Sequence, residues 1–310
     1  LVEWQLRVAS GEPLPLKQDQ LRIHGHAIEA RICAENPDNN FLPATGTLHV
    51  YGLPACVTFE CGDTRVDSGV RQGDAISPFY DSMVAKLIVH GDNREQALAR
   101  LDAALEQVRI VGLATNVQFL RLVARSRSFA QAELDTALIQ REQAVLFNQE
   151  KIGLPLAAAA AVARALLDER ALAGGSPFSQ RDGWRSHGVV SRRFAVEFHG
   201  EPYAVLLRYL HDGALQLQVG ETTGVLQFKE VAGGIDLQFA GQRQTVQVWR
   251  QGETDHVFCA LGATQIVDVD LMAHSGESQS EGGRLTAPMP GKVVSFAVKA
   301  GDKVTKGQAL

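Results

Sequence analysis

The stretch Ala157-Ala-Ala-Ala-Ala-Val-Ala-Arg-Ala-Leu-Leu-Asp-Glu-Arg-Ala-Leu-Ala173 decides the fold of the middle of the chain. Alanine is the strongest helix former. Pro155 stands where a helix starts and Gly174-Gly175 where one stops, so we predict a helix over residues 156–173. Small apolar side chains on every side of that helix indicate that other elements enclose it.

A strand pattern follows this helix. About eight short apolar and polar alternations run between residues 183 and 270. The turns between them contain Gly200, Asp212-Gly213, Gly220, Gly233-Gly234, Gly241, Gly252 and Gly262. Short strands at this spacing favour an antiparallel barrel. We therefore expect residues 146–272 to form a β-barrel domain around one central helix.

Residues 1–145 predict an α+β domain. Residues 26–35 alternate so that Ile28, Ala30 and Ile32 share one face of a strand, while Glu29 and Arg31 share the other. A second strand pattern runs up to residue 89, and helical patterns follow it.

The helix starts in this domain are predicted from capping residues. Asp92 is expected to cap the first helix after the strands, with Glu95 in the capping-box position. Asn116 and Ser128 are expected to cap the two helices that follow.

Composition excludes several function classes. A net charge of -5 with scattered Lys and Arg gives no basic footprint for nucleic acid. No apolar run approaches the roughly 20 residues that span a bilayer. The nine histidines are dispersed, and no serine, histidine and acid arrangement indicates a hydrolase.

The four cysteines give no support for a metal site. They lack any Cys-x-x-Cys pair, so a structural zinc site is not expected and no metal ligand is assigned in this chain. A disulfide between Cys56 and Cys61 is the less favoured alternative to reduced thiols.

The C-terminal region divides into a linker and a partial domain. Residues 273–283 are polar and glycine-rich, which is typical of a flexible tether. Residues 284–310 alternate around glycine turns and predict part of a small β-sandwich. The absence of a methionine and of a capping residue before Leu1, and the stop at Leu310 within a domain, indicate cuts at both ends.

Several motifs carry a family resemblance. These are Gly25-His-Ala-Ile-Glu-Ala-Arg-Ile-Cys-Ala-Glu-Asn-Pro37 with Phe41-Leu-Pro-Ala-Thr-Gly46, Arg65-Val-Asp-Ser-Gly-Val-Arg-Gln-Gly-Asp74 and Tyr80-Asp-Ser-Met-Val-Ala-Lys-Leu87. In the same order they resemble the C-terminal domain of biotin carboxylase. Ala287-Pro-Met-Pro-Gly291 resembles the opening of a biotinyl or lipoyl carrier, and residues 21–141 favour biotin over lipoate. The whole chain resembles the α subunits of biotin-dependent acyl-CoA carboxylases.

The resemblance implies a catalytic role for Arg31. In the family, the arginine of the Glu-x-Arg-Ile-x-Ala-Glu motif lies in the carboxylation site, where it would stabilise the ureido oxygen of biotin and hold bicarbonate. The alternative is a strand-face ion pair of Arg31 with Glu29 or Glu35. Tyr80, Asp81 and Lys86 are expected to be architectural, with Asp81 bonding turn amides.

The resemblance also implies a partner-binding loop. Residues 176–185 fit a Ser-Pro-Trp-x-x-x-Asp-Gly-Trp-Arg pattern of the methylcrotonyl-CoA and geranyl-CoA members, with Phe178 in place of the first tryptophan. Phe178, Trp184 and Arg185 are therefore expected to contact the carboxyltransferase β subunit. Equally, Trp184 would anchor the barrel itself.

The implied activity is that of a ligase that carboxylates biotin with ATP, Mg²⁺ and bicarbonate and passes the carboxyl group to an acyl-CoA on the β subunit. The expected acceptor is 3-methylcrotonyl-CoA, as in leucine degradation, with geranyl-CoA or another acyl-CoA as the alternative. Partners implied are the β subunit in an α6β6 assembly and biotin protein ligase.

The family places its ATP and Mg²⁺ residues upstream of Leu1 and its biotinyl lysine beyond Leu310. The chain by itself is therefore expected to be inactive, and an assembly and tethering module is the alternative of another class. A cytoplasmic location is expected if the source is bacterial, which the compact linkers favour, and the mitochondrial matrix if it is eukaryotic.

Overall fold

The computed structural model describes residues 1–147, 152–175, 179, 183, 185–273, 296–299, 301–305 and 308. Two bodies of secondary structure occupy these residues. The helices of the first are α1 (Val2–Ala9), α2 (Arg94–Gln107), α3 (Val117–Arg125), α4 (Arg127–Ala130), α5 (Leu138–Arg141) and α6 (Gln143–Phe147). Its strands are β1 (His26–Cys33), β2 (Glu35–Asn36), β3 (Leu42–Pro43), β4 (Gly46–Thr47), β5 (Val50–Gly52), β6 (Thr64–Ser68), β7 (Ala75–Ile76), β8 (Met83–Gly91) and β9 (Arg109–Val111).

A three-stranded antiparallel sheet in the order β1-β8-β6 is the centre of the first body. Ile28, Ala30 and Ile32 of β1 are buried, which confirms the face predicted from their alternation. Helix α2 packs on this sheet. The buried residues of α2 are Ala97, Leu101, Ala104 and Leu105. Strand β1 lies at the edge of the sheet, so its outer backbone groups need partners from elsewhere.

The predicted cap of α2 is wrong by one residue. Asn93, and not Asp92, is the N-cap, and its Oδ1 accepts a hydrogen bond from the backbone nitrogen of Gln96 at 2.9 Å. Gln96 therefore takes the N3 position that the sequence predicts for Glu95, and its Oε1 accepts from the nitrogen of Asp92 at 3.0 Å. Asp and Asn are equally good caps. The sequence alone therefore does not decide which of these two adjacent residues starts the helix.

The predicted cap of the helix after α3 is also wrong. Helix α4 starts after Ser126, whose Oγ accepts from the nitrogen of Phe129. Ser128 lies inside the helix, and its hydroxyl donates to Glu142. Asn116 is the N-cap residue of α3 as predicted, but its side chain caps nothing in that helix.

The second body is a closed barrel around α7 (Leu154–Leu172). Its strands are β10 (Val190–Phe198), β11 (Glu201–Tyr209), β12 (Leu215–Val219), β13 (Thr222–Val231), β14 (Gly234–Phe239), β15 (Gln242–Gln251), β16 (Thr254–Cys259) and β17 (Gly262–Asp268). Each strand pairs antiparallel with the next, and β17 pairs back with β10. The eight-stranded barrel and its central helix are therefore confirmed.

Helix α7 is buried on nearly all sides. Pro155 lies in its first turn, and the helix ends just before Ala173 and the two glycines. Residues 157–163 are each at most 3% exposed. Because alanine ends at Cβ, the strands approach the helix axis closely all round, as we predicted from the composition.

Little of the C-terminal region is described. The predicted linker beyond Ala273 and the Ala287–Gly291 motif lie outside the described residues. Residues 296–299, 301–305 and 308 contain no helix or strand. The nitrogen of Asp302 donates to the oxygen of Lys299 at 3.0 Å, next to Gly301. The carrier sandwich itself stays a prediction.

All four cysteines are free, so Cys56 and Cys61 form no disulfide. Among the helices of the described ranges, none has the length and apolar character that crossing a membrane requires.

Candidate functional site

Arg31 lies on the outward face of edge strand β1. Its side chain is 71% exposed, and its Nε donates to Glu29 Oε1 at 3.1 Å. Glu35 does not take part in this pair, since its Oε1 accepts from the hydroxyl of Ser82 at 2.7 Å. The ion pair expected as the alternative to a catalytic role therefore exists with Glu29. An exposed pair of this kind contributes little to stability, and it leaves Arg31 accessible to a ligand.

A row of charges crosses the sheet beside Arg31. Arg31 is the register partner of Lys86 on β8, and Lys86 is the partner of Asp67 on β6. Directly opposed residues of an antiparallel pair have Cβ atoms roughly 5 Å apart. Two cations are thus neighbours at this point. Lys86, which the sequence led us to treat as architectural, is placed next to Arg31 by the register between two strands 55 positions apart.

Asp67 closes the row with a fixed negative charge. Its carboxylate takes a two-pronged contact from Arg65, with Nε to Oδ1 at 2.9 Å and a terminal nitrogen to Oδ2 at 2.7 Å. The Asp67 side chain is only 7% exposed. These bonds from Arg65, with one from the backbone of Phe59, hold the pKa of Asp67 below its usual value despite the cost of desolvation. The negative charge of Asp67 therefore interacts with Arg65 as well as with Lys86.

Asn116 fixes the backbone that carries Arg31. Its Nδ2 donates to the carbonyl oxygen of Arg31 at 3.0 Å, and its Oδ1 accepts from the nitrogen of Cys33 at 2.9 Å. Its own nitrogen donates to the oxygen of Cys33 at 3.2 Å. Three bonds from one buried residue thus pair outer backbone groups of Arg31 and Cys33 at the C-terminal end of β1. The sequence predicts Asn116 only as a cap, because its partners lie 83 and 85 positions away.

The turn that leads into β8 follows the sequence prediction for Asp81. Asp81 Oδ1 accepts from the nitrogen of Met83 at 2.9 Å. Tyr80 is 88% exposed and Phe79 is 81% exposed. Neither aromatic ring contributes to the core. Within this motif, the structural role therefore belongs to Asp81 and to strand β8, which follows it.

The chemistry of this edge suits an anion. In the described part of the chain, Arg31 makes a side-chain hydrogen bond only through Nε, and its two terminal nitrogens remain for a carboxylate or a ureido oxygen. Within the same residues, no group of three His, Cys, Asp or Glu is arranged to hold a metal ion.

The predicted partner-binding loop is described only in part. Phe178 and Trp184 lie outside the described residues, and Arg185 is exposed. Gly183 has φ +72°, and a Cβ on it would lie 2.4 Å from Cγ of Tyr209 on β11. The loop is therefore pressed against the barrel at Gly183, where only glycine fits.

Comparison with known proteins identifies both bodies. Residues 29–141 match the model of the biotin carboxylase C-terminal domain. Residues 154–271 match that of the BT domain of the methylcrotonyl-CoA carboxylase alpha-subunit. These two ranges cover the sheet with Arg31 and the barrel around α7.

Full-length relatives agree with the domain matches. The chain is 33% identical to methylcrotonoyl-CoA carboxylase subunit alpha, mitochondrial, of Dictyostelium discoideum, over 100% of the chain and 46% of that protein. The mouse (Mus musculus) protein of the same name is 31% identical, over 100% and 45%. The propionyl-CoA carboxylase alpha chain, mitochondrial, of Caenorhabditis elegans is 30% identical, over 100% and 45%. The chain thus spans about half the length of the curated relatives it matches.

Proposed function

The chain belongs to the biotin-dependent carboxylases, with a biotin carboxylase C-terminal domain joined to a BT domain of the methylcrotonyl-CoA carboxylase type, and on that premise we propose that it is part of a 3-methylcrotonyl-CoA carboxylase α subunit. Its natural polypeptide would carboxylate biotin with ATP, Mg²⁺ and bicarbonate. A carboxyltransferase β subunit would then pass the carboxyl group to the acyl-CoA. The matched BT domain, together with the methylcrotonoyl relatives, supports this choice of acceptor.

We infer that Arg31 is the residue of this chain that acts in the first half-reaction. Bound biotin supplies the ureido nitrogen that accepts the carboxyl group and the oxygen on which negative charge develops. The terminal nitrogens of Arg31 would donate to that oxygen and hold bicarbonate beside it. Lys86 adds a second positive charge opposite Arg31. Glu29 would help to orient the guanidinium through its bond to Nε.

The barrel is proposed as the site that binds the β subunit. Residues 176–185 are the expected contact, and Phe178, Trp184 and Arg185 are its proposed side chains. Gly183 lies against Tyr209 of β11, which supports a contact surface on this side of the barrel. We propose the α6β6 assembly and, because the linkers are short, a bacterial cytoplasm as its location.

The test begins with the intact mass of the natural polypeptide that contains these 310 residues, made in cells with active biotin ligase. Gain of one biotin is expected, and gain of a lipoyl group or of nothing would reject the carboxylase assignment. The purified polypeptide with its β subunit is then assayed with 3-methylcrotonyl-CoA, geranyl-CoA and propionyl-CoA. A preference for either of the last two would replace the acceptor and keep the enzyme class. Biotinylation without any carboxylation would favour a tethering module.

A further inference from the structure

The two bodies meet through helix α3. Arg121 of α3 is buried, with its side chain 3% exposed. Its Nε contacts Asp102 at 3.1 Å and a terminal nitrogen contacts Glu106 at 2.9 Å, both on α2. The remaining terminal nitrogen donates to the carbonyl oxygen of Ala260 at 3.2 Å. Ala260 lies in the turn between β16 and β17, so one guanidinium joins two helices of the first body to the barrel.

Neighbouring contacts hold the same turn. Gln118 Nε2 donates to the oxygen of Leu261 at 3.2 Å. Gly262 approaches Gln118 so closely that a Cβ on it would lie 2.9 Å from the amide carbon. Beside them, Arg109 Nε donates to Gln247 Oε1 on β15 at 2.6 Å. The barrel turn is thus held by backbone groups and long polar side chains.

Apolar packing does not fix this junction by itself. A cleft of about 330 Å³, partly open to solvent, lies between the two bodies, with Phe119 and Leu122 on one side and His256 and Phe258 on the other. The buried apolar clusters of the barrel and of the first body share no residue. We therefore attribute the orientation of the barrel to the polar contacts made by Arg121, Gln118 and Arg109.

Helix α3 also holds the strand of the candidate site. Asn116, which precedes its first residue, bonds the backbone of Arg31 and Cys33. Arg121 lies five residues further on, about 7.5 Å along the helix axis. One short helix therefore contacts the Arg31 strand at its start and the barrel from its second turn.

We propose that Arg121 is a positioning residue, which through α3 holds the barrel, and with it the start of the chain that follows β17, in a fixed place relative to Arg31. This rests on the proposed function, in which a carrier after the barrel returns its biotin to the Arg31 site. Fixing the origin of the linker raises the effective concentration of carrier at that site. Arg121 does not touch the reacting atoms.

The first test measures geometry alone. Spin labels are placed at the exposed positions Ala99→Cys on α2 and Thr223→Cys on β13 of the 310-residue chain, with Cys33, Cys56 and Cys61 replaced by serine. We expect one narrow distance distribution, and a clearly broadened one in Arg121→Gln. Arg125→Gln is the matched control, since Arg125 lies on α3 and bonds Asp102 but, in the described part of the chain, has no hydrogen bond to the barrel. Gln118→Ala with Gln247→Ala loosens the junction without leaving acids unpaired, should Arg121→Gln fail to fold.

The second test uses the natural polypeptide. Carboxylation of its own carrier biotin should fall about tenfold in Arg121→Gln, while carboxylation of free biotin in solution stays the same. An equal fall for both substrates, or a distance distribution that stays narrow in a folded Arg121→Gln protein, would overturn the proposal. If Arg121→Gln does not fold, a narrow distribution in the double variant would overturn it. If the unaltered polypeptide carboxylates neither substrate, the proposed function fails, and the distances still decide whether Arg121 holds the barrel.

Discussion

The side-chain amide of Asn116 donates to the carbonyl oxygen of Arg31 at 3.0 Å, across 85 positions of sequence. The guanidinium of Arg31 is mostly exposed, whereas the peptide that carries it is held by a buried residue. The site thus combines an accessible charge with a fixed backbone. Substitutions of the charge and of its support should consequently have different effects, one on catalysis and one on stability.

Replacement of Arg31 should slow biotin carboxylation strongly and spare the fold. In the natural polypeptide, Arg31→Gln is expected to slow biotin carboxylation about 100-fold or more, because a donor to the developing oxyanion is lost. Its thermal midpoint should hardly change, since the pair with Glu29 is exposed. Arg243→Gln is the control, because Arg243 is equally exposed, at 70%, and is also paired with an acid on the surface, Asp236, although through two hydrogen bonds. Equal activity of the two variants would remove Arg31 from the mechanism.

Replacement of Asn116 should destabilise the first body. Asn116→Ala leaves the backbone groups of Arg31 and Cys33 without their side-chain partners, at a cost of about 1–3 kcal/mol. Urea unfolding of the chain measures this loss. Asn39→Ala, at an exposed position, should be close to neutral. A free energy of unfolding that is the same for both variants would show that water replaces Asn116 at the strand edge.

The pair of Asp67 and Arg65 should make stability depend on pH at the acid end. The pKa of Asp67 is lower in the folded chain than in the unfolded one, where it is about 3.9. Its contribution is therefore complete above that value and is lost as pH falls through the folded pKa. Asp67→Asn should lower the free energy of unfolding at pH 7. As the pH falls, the free energy of unfolding should decrease less in this variant than in the unaltered chain. Parallel pH curves for the two proteins would contradict this.

The alanine surface of α7 should not tolerate larger side chains. Ala159 is completely buried, and Ala159→Leu adds volume where the strands leave no space, at a cost of about 1–3 kcal/mol or more. Ala171→Leu makes the same change at an exposed position of the same helix and should be tolerated. The measurement is the thermal midpoint of each variant, and that of Ala159→Leu should be the lower one. Equal thermal midpoints for Ala159→Leu and Ala171→Leu would mean that the barrel has unfilled space around its helix.

Gly183 should be needed for binding the β subunit. Gly183→Ala forces a Cβ against Tyr209, whereas Gly213→Ala adds one at a similar φ of +81° with nothing within 4 Å. Both variants place an alanine at a positive φ and carry similar backbone strain. A difference in their affinity for the β subunit therefore reports the displacement of the loop. Affinity for the β subunit should fall more in Gly183→Ala. Equal affinities would place the contact surface away from residues 176–185.

Local signals predicted the parts of the fold that local chemistry determines. Alanine content and glycine turns gave the enclosed helix and the eight strands, and period-two alternation gave the buried face of β1. The cap errors at Asp92 and Ser128 arose because neighbouring residues could cap equally well. Only tertiary contacts decided between them.

The missed residues of the candidate site have partners far away in sequence. Lys86 lies opposite Arg31 only through strand register, and Asn116 finds its partners on another element. Arg121 gave no signal either, because an arginine on an amphipathic helix normally indicates a surface position. Its burial depends on the barrel turn that covers it.

The order of α7 and its barrel has a consequence for synthesis. The helix precedes all eight strands, so it leaves the ribosome roughly 5–20 s before β17 at ordinary elongation rates. During that interval it has no strands around it. Alanine forms helix readily on its own and exposes little apolar surface, so the nascent helix can wait in water with a low risk of aggregation. A leucine-rich helix in this place would pack no better in the finished barrel. It would expose more apolar surface during synthesis and so raise the risk of aggregation.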